Sequence, residues 1–306
     1  MKTTPVTFDD IPASVLAVPP LARHDDLSLN REANQQLIRY LEQGGVSTLL
    51  YGGNANFYNL ALSEYASVLE MLIEAASEDS WVLPSAGPAY GTMMDQAEVL
   101  RDLDFPTAMV LPATNAATPD GVETGLRHFA EKLGKPIVLY LKLEGYLTID
   151  GVRRLVEDGL VSAIKYAVVR SDPSIDPYLT GLCDTVDRRY LISGIGERPA
   201  IVHLRDFELP GFTSGSVCVA PRASMRLLDA LKRGAYDEAA RVRERFLPLE
   251  DLRDGINPIR VLHDAVTTAG IADMGPILPL TSNLSSGDRE RVAEAALELA
   301  GYDRTA

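Results

Sequence analysis

A lysine inside a short apolar run is the most chemically informative residue of this chain. Lys165 lies in Ser162-Ala163-Ile164-Lys165-Tyr166-Ala167-Val168-Val169, which reads as a buried strand. Burial disfavours an ammonium and lowers its pKa. An amine that is neutral near pH 7 can attack a carbonyl carbon and form a Schiff base. Taken alone, the run fits equally a strand-end lysine that snorkels to solvent or pairs with an acid. Tyr140, in Ile137-Val138-Leu139-Tyr140-Leu141, offers a phenol that can shuttle protons beside such an amine, or is a core or rim aromatic. Gly52-Gly53-Asn54 follows another apolar run. Its backbone N–H groups and side-chain amide can hold a carboxylate without a formal positive charge, or the glycines only make a tight turn.

These residues need a frame. Apolar runs at 14–18, 48–51, 81–84, 108–111, 137–141, 162–168, 190–194 and 216–220 read as strands. Between them, amphipathic patterns at 31–43, 63–77, 92–103, 121–133 and 149–157 read as helices. This alternation predicts a parallel sheet with helical crossovers. Eight such units suit an α/β fold of the (β/α)8 TIM-barrel type. A nucleotide-binding doubly wound sheet is disfavoured, because no G-x-G-x-x-G follows the first strand. Helical patterns continue at 223–233, 236–246, 258–268 and 286–299. The first supplies the eighth barrel helix, which gives a barrel at 1–233 and a C-terminal helical extension at 234–306.

In such a barrel the chemistry sits at the C-terminal strand ends and the loops after them. Those positions hold Gly52, Gly53, Asn54, Ala55 and Asn56; then Pro112, Ala113, Thr114 and Asn115; then Tyr140, with Lys142 just past its strand as a solvated loop lysine; then Lys165. Ser193-Gly194-Ile195-Gly196 follows the seventh strand, and Gly215-Ser216-Val217-Cys218-Val219 forms the eighth.

The 306 residues carry a formal net charge of -14, which argues against nucleic acid as a partner. Two cysteines without a C-x-x-C neighbour read as free thiols in a reducing cytosol. No signal-peptide pattern opens the chain and no apolar run is long enough for a membrane span, so a cytoplasmic protein without a membrane partner is expected. His24, His128, His203 and His263 are scattered, and no H-x-x-x-H spacing points to a metal.

The ordered set resembles the dihydrodipicolinate synthase / N-acetylneuraminate lyase family of class I, Schiff-base aldolases. Ala163-Ile164-Lys165 resembles the family's G-[IVL]-K strand, and Pro136-Ile137-Val138-Leu139-Tyr140 its P-[IV]-x-x-Y strand. Ser193-Gly194 fits the glycine after strand 7, and Gly215-Ser216-Val217-Cys218 the G-x-[IV]-S segment. The resemblance implies Lys165 as nucleophile and Tyr140 as acid/base group. It further implies Gly53 and Asn54 on the substrate carboxylate, Gly194 and Val217 around the adduct, and Thr114 and Asn115 towards the rest of the substrate. It implies no cofactor, since the lysine does the carbonyl chemistry, and a homotetramer or homodimer. The activity implied is a lyase, aldolase or dehydratase acting on pyruvate or another 2-oxo acid, sugar-derived ones included. The alternative is a non-catalytic small-acid-binding or regulatory protein on the same barrel.

Departures from the family pattern set the chain apart from dihydrodipicolinate synthase itself. The family's G-T-T-G-E reads Gly52-Gly53-Asn54-Ala55-Asn56, and both hydroxyl residues are gone. P-Y-Y-N reads Pro112-Ala113-Thr114-Asn115, which removes a relay tyrosine. The P-x-R-T arginine has no counterpart in Lys142-Leu143-Glu144-Gly145-Tyr146. Tyr166 stands after the lysine, where the family commonly has an acid.

Overall fold

The computed structural model describes residues 1–113 and 117–305. Strands and helices alternate: β1 (Leu16–Ala17), α1 (Arg31–Gln43), β2 (Thr48–Tyr51), α2 (Leu62–Ala75), β3 (Trp81–Ala86), α3 (Tyr90–Asp102), β4 (Met109–Val110) and α4 (Pro119–Leu133). The second half continues with β5 (Ile137–Leu141), α5 (Ile149–Glu157), β6 (Val161–Tyr166), α6 (Pro177–Thr185), β7 (Leu191–Ser193), α7 (Ala200–Asp206), β8 (Thr213–Ser214) and α8 (Pro221–Lys232). All pairings are parallel, in the order β7-β6-β5-β4-β3-β2-β1-β8. A parallel bridge from Ser193 to Phe212 and the bond from Gly196 N–H to Thr213 O at 3.1 Å bring β7 back to β8. The result is a (β/α)8 barrel, closed by backbone hydrogen bonds that leave little exposed edge.

Inward-facing residues alternate along each strand. Leu50, Leu83, Val138, Ala163 and Ile192 surround a mostly apolar interior together with Thr48 and Trp81. Lys165 shares the inward parity of Ala163 and is the last inward residue of β6. Tyr166 points the other way, towards the helices, where its hydroxyl donates to Asp176 Oδ2 at 2.5 Å.

One irregularity sets the lateral alignment of the site. Ile137 pairs with Val161, but Val138 pairs with Ala163, so Ser162 is an extra residue in β6. This β-bulge brings Tyr140 opposite Lys165. Thr107 pins it: its hydroxyl donates to Pro136 O at 2.7 Å and lies 3.0 Å from Ser162 Oγ.

Three helices follow: α9 (Tyr236–Gly255), α10 (Pro258–Thr268) and α11 (Ser286–Asp303). The sequence pattern ends the first at 246, because Pro248 follows and proline interrupts helical hydrogen bonding. Instead α9 runs through Pro248 for two more turns. Val242, Phe246 and Leu249 are buried along one side of it, and tertiary packing of that face outweighs the local penalty. Asn257 caps α10, accepting from the N–H groups of Ile259 and Arg260, both at 3.1 Å.

The eighth strand is displaced from its sequence-based position at 216–220. Pairing is confined to Thr213–Ser214, and Ser216–Cys218 forms a single 3-10 turn. An apolar run of that length does not distinguish a strand from a buried turn. Cys183 and Cys218 are free. No helix among the described residues is long and apolar enough to cross a membrane.

Candidate active site

The C-terminal strand ends open into a cavity of about 380 Å³ lined by Gly53, Asn54, Tyr58, Tyr140, Lys142, Lys165 and Gly194, among others. Strand register explains the pairing at its floor. Tyr140 and Lys165 are direct neighbours across β5 and β6, and Lys165 Nζ lies 4.6 Å from the centre of the Tyr140 ring.

Lys165 is 5 % exposed, and no carboxylate among the described residues lies within ion-pair distance of its Nζ. Burial, reinforced by the nearby Lys142 cation, lowers its amine to about 7. The Tyr140 face favours the charged form in the opposite sense, but the desolvation cost dominates. Burial also pushes the Tyr140 phenol up to about 12, so it stays protonated at neutral pH and can serve as an acid. Burial likewise raises the phenol of Tyr58, with Tyr140 and Tyr146 adding in the same direction. Two phenols, Tyr58 and Tyr140, therefore line this side of the mouth.

Glycines shape the site by what they leave out. A Cβ at Gly194 would come within 2.7 Å of Tyr166 O and 2.9 Å of Lys165 Cγ, so only glycine lets this loop pass beside the lysine stem. Its N–H donates to Tyr166 O at 2.6 Å. At Gly52 a Cβ would meet Ser85 Oγ at 2.8 Å. The turn after it leaves the N–H groups of Gly53 and Asn54 without hydrogen-bond partners among the described residues. Asn54 is oriented by its own amide, which donates to Val18 O at 3.0 Å. A Cβ at Gly215 would collide with Leu262 and reach 2.8 Å from Asn54 Nδ2.

Thus Lys165, Tyr140, Gly53, Asn54 and Gly194 meet at one cavity. Val217 does not: it is fully buried in the 3-10 turn, with its N–H donating to Ser214 Oγ at 2.9 Å. Shortening of β8 moves Thr213 and Gly215 to the wall instead. Thr114 and Asn115 lie outside the described residues. Lys142, read from sequence as a solvated loop residue, is exposed and also lines the mouth.

The outer wall comes from residues that the sequence pattern did not bring to the site: Arg253, Asp254, Asn257, Pro258 and Leu262. Arg253 Nη1 donates to Glu250 Oε1 at 2.9 Å, and its Nε to Asp254 Oδ1 at 3.0 Å. Behind it lie two buried carboxyls. Glu250 Oε1 accepts from the Glu197 N–H at 3.0 Å, and Glu197 accepts from Ser214 Oγ and Ser224 Oγ at 2.8 and 2.6 Å. Burial pushes both acids above the carboxylate range. One guanidinium cannot balance two buried charges, so the pair retains a proton.

A family model described as the dihydrodipicolinate synthetase family matches residues 13–297. The chain is 26% identical over 268 residues to a 4-hydroxy-tetrahydrodipicolinate synthase of Pseudomonas putida (strain W619), covering 84% of this chain and 87% of that one. It is also 26% identical over 254 residues to a protein of Bacillus subtilis (strain 168) named as a probable 5-dehydro-4-deoxyglucarate dehydratase, covering 79% of each. Among solved structures, dihydrodipicolinate synthase from Bacillus clausii superposes with a TM-score of 0.83 at 21% identity, covering 93% of this chain and 97% of that one. PhdJ, solved bound to a substrate intermediate, gives a TM-score of 0.84 at 18% identity and covers 99% of each chain.

Proposed function

The chain belongs to the dihydrodipicolinate synthetase family, and from that premise we propose that it is a lysine-dependent lyase or dehydratase acting on a 2-oxo acid. The observation that carries this reading is the buried, acid-free amine of Lys165, lowered to about 7, beside the protonated phenol of Tyr140. Near neutral pH about half of such an amine is unprotonated, against about one part in 3,000 for an ordinary lysine.

The partner-free N–H groups of Gly53 and Asn54 hold the substrate carboxylate. The neutral amine adds to the adjacent carbonyl carbon, giving a carbinolamine. Tyr140 donates a proton to the hydroxyl, water leaves, and a protonated imine remains. That cation accepts the electron pair of a breaking C–C bond further along the substrate, or of a C–H bond beside the imine. In the second case the resulting enamine expels a β-hydroxyl, whose C–O pair leaves with the oxygen, and the proton released from carbon completes a water molecule. Hydrolysis then returns the amine, and the Tyr140 phenolate recovers its proton. The names of the relatives, a synthase and a probable dehydratase, support both directions of this chemistry.

Borohydride reduction in the presence of a panel of 2-oxo acids tests the reading. The expected result is a mass increase of the reduced adduct on the Lys165 peptide, abolished in Lys165→Ala. Absence of any adduct across the panel would remove the main support. Acid binding that survives Lys165→Ala, with no turnover in the parent, would favour the binding-protein reading on the same barrel.

A further inference from the structure

We propose that Tyr58 is a proton-relay residue of this site, carrying protons between the Tyr140 hydroxyl and the solvent at the mouth. The inference rests on the lysine-dependent reading and adds a residue to it.

The turn after β2 is built to aim this side chain. Asn56 takes the left-handed conformation, with φ of 58°, which asparagine tolerates better than most residues. Its N–H donates to Gly53 O at 2.9 Å, the Phe57 N–H to Gly52 O at 3.2 Å and the Asn59 N–H to Asn56 O at 2.9 Å. The buried Asn56 amide donates to Thr281 Oγ1 at 3.1 Å, and its Oδ1 accepts from Asn59 Nδ2 at 2.7 Å. Its own backbone and the C-terminal segment thus hold the turn from two sides. Phe57 enters the core, its ring centre 6.5 Å from that of Tyr51 and 6.2 Å from that of Tyr65. Tyr58, the next residue, is half-buried and lines the cavity with Tyr140 and Lys165. A Cβ on Gly53 would lie 3.6 Å from Tyr58 Cε2, so the ring rests against the turn assigned to the substrate carboxylate.

Their hydroxyls set these two tyrosines apart. Tyr65 donates to Ser85 O at 2.8 Å and Tyr178 to Leu147 O at 2.6 Å, bonds that pin a phenol in place. Neither Tyr58 nor Tyr140 has a hydrogen-bond partner for its hydroxyl among the described residues, and both open on the same cavity. Burial and the nearness of Tyr140 raise the Tyr58 phenol, and burial raises that of Tyr140. Both hold their protons at neutral pH, and a proton passing between them, across at most one water, meets no large difference in acidity.

Tyr140 is left as phenolate once it has given its proton to the departing water. It then takes a proton from the carbon beside the imine, whose C–H electron pair becomes the enamine double bond and neutralises the imine cation. Tyr140 hands that proton to the Tyr58 oxygen as Tyr58 gives its own to solvent. The same passage reversed brings a solvent proton to Tyr140 and from there to carbon.

The test separates imine formation from proton exchange. The probes are pyruvate and 2-oxobutanoate at saturating concentration, since both carry hydrogens on the carbon next to the carbonyl. Borohydride trapping at Lys165 uses each amine once and draws only on the proton that Tyr140 already holds. Exchange of the substrate hydrogens in deuterium oxide, followed by NMR, needs Tyr140 to be refilled from solvent in every cycle. Tyr58→Phe keeps the ring and removes the hydroxyl. It is expected to slow exchange about 10²-fold while trapping keeps the parent's rate, which also certifies the fold. With Tyr140→Phe added, exchange is expected to be no slower than in Tyr140→Phe alone, because residues in series act as a unit. Unchanged exchange in Tyr58→Phe, a fall in trapping as large as the fall in exchange, or losses that multiply in the double variant each overturn the relay. If neither acid is trapped in the parent, the lysine-dependent reading fails by itself and the relay falls with it.

Discussion

Replacing Lys165 by methionine should stabilise the protein at neutral pH, and by an amount that pH removes. Lys165 is 5 % exposed and its amine is lowered from 10.5 to about 7. Between those values the unfolded chain binds a proton that the fold does not, so stability increases with pH. The full contribution is present above the unfolded pKa and is lost as pH falls through the folded one. For a shift of this size the penalty is about 4 kcal/mol at pH 7 and about 1 kcal/mol at pH 10. Methionine, of similar length and uncharged, escapes it. Urea unfolding can be followed through Trp81, the single tryptophan, buried on β3. The stability gap between variant and parent should narrow by about 3 kcal/mol from pH 7 to pH 10. Packing differences between the two side chains offset the gap at every pH but do not change its slope. A gap that stays flat would mean that Lys165 is charged in the fold, and the argument for a neutral nucleophile would fail with it.

Three further outcomes follow from the same geometry. Tyr140→Phe should keep the cavity and lower turnover by about 10²–10⁴-fold; steady-state rates close to the parent's would exclude the phenol as the acid. Gly194→Ala forces a Cβ to 2.7 Å from Tyr166 O, and should cost about 1–3 kcal/mol of stability while slowing trapping at Lys165; an unaffected trapping rate would show that the loop does not set the lysine's position. Glu250→Gln mimics the protonated member of the buried acid pair. The fold keeps a proton there that the unfolded chain releases above the ordinary glutamate value of 4.5, so the parent should lose stability as pH rises through the neutral range. Urea midpoints from pH 5 to 8 should fall less steeply in the variant, and parallel profiles would contradict the shared proton.

The floor of the site was legible in the sequence because strands carry it. Lys165 and Tyr140 stand in short apolar runs with inward parity, and a period of two survives even in brief strands. Gly53, Asn54 and Gly194 were readable because loops after barrel strands are few and short. Val217 was misplaced because an apolar pentapeptide looks alike as a strand or as a buried turn; here β8 ends at Ser214 and the turn takes the rest. Arg253 and Asn257 were not readable as wall residues, since their approach to the mouth depends on α9 continuing past Pro248, a tertiary effect that local propensity opposes. Tyr58 sits in a three-residue 3-10 turn, Phe57–Asn59, too short to carry any period.

The bulge at Ser162 has a consequence for how this protein can change over generations. Loops around the mouth can gain or lose residues at small cost, since chain ends meet there with little entropy at stake. The start of β6 has a freedom of its own, because Ser162 is a spare residue in the ladder. A single codon lost at Ser162 removes the bulge and leaves Ala163 opposite Val138 and Lys165 opposite Tyr140. The same loss at Val138 or Leu139 meets no spare residue: it slides β5 by one and carries the Tyr140 phenol to the helical layer. A codon-deletion scan across the gene should therefore find tolerance at the start of β6 and a narrow zone of intolerance in the middle of β5, where the residues themselves, a valine and a leucine, carry no chemistry at all.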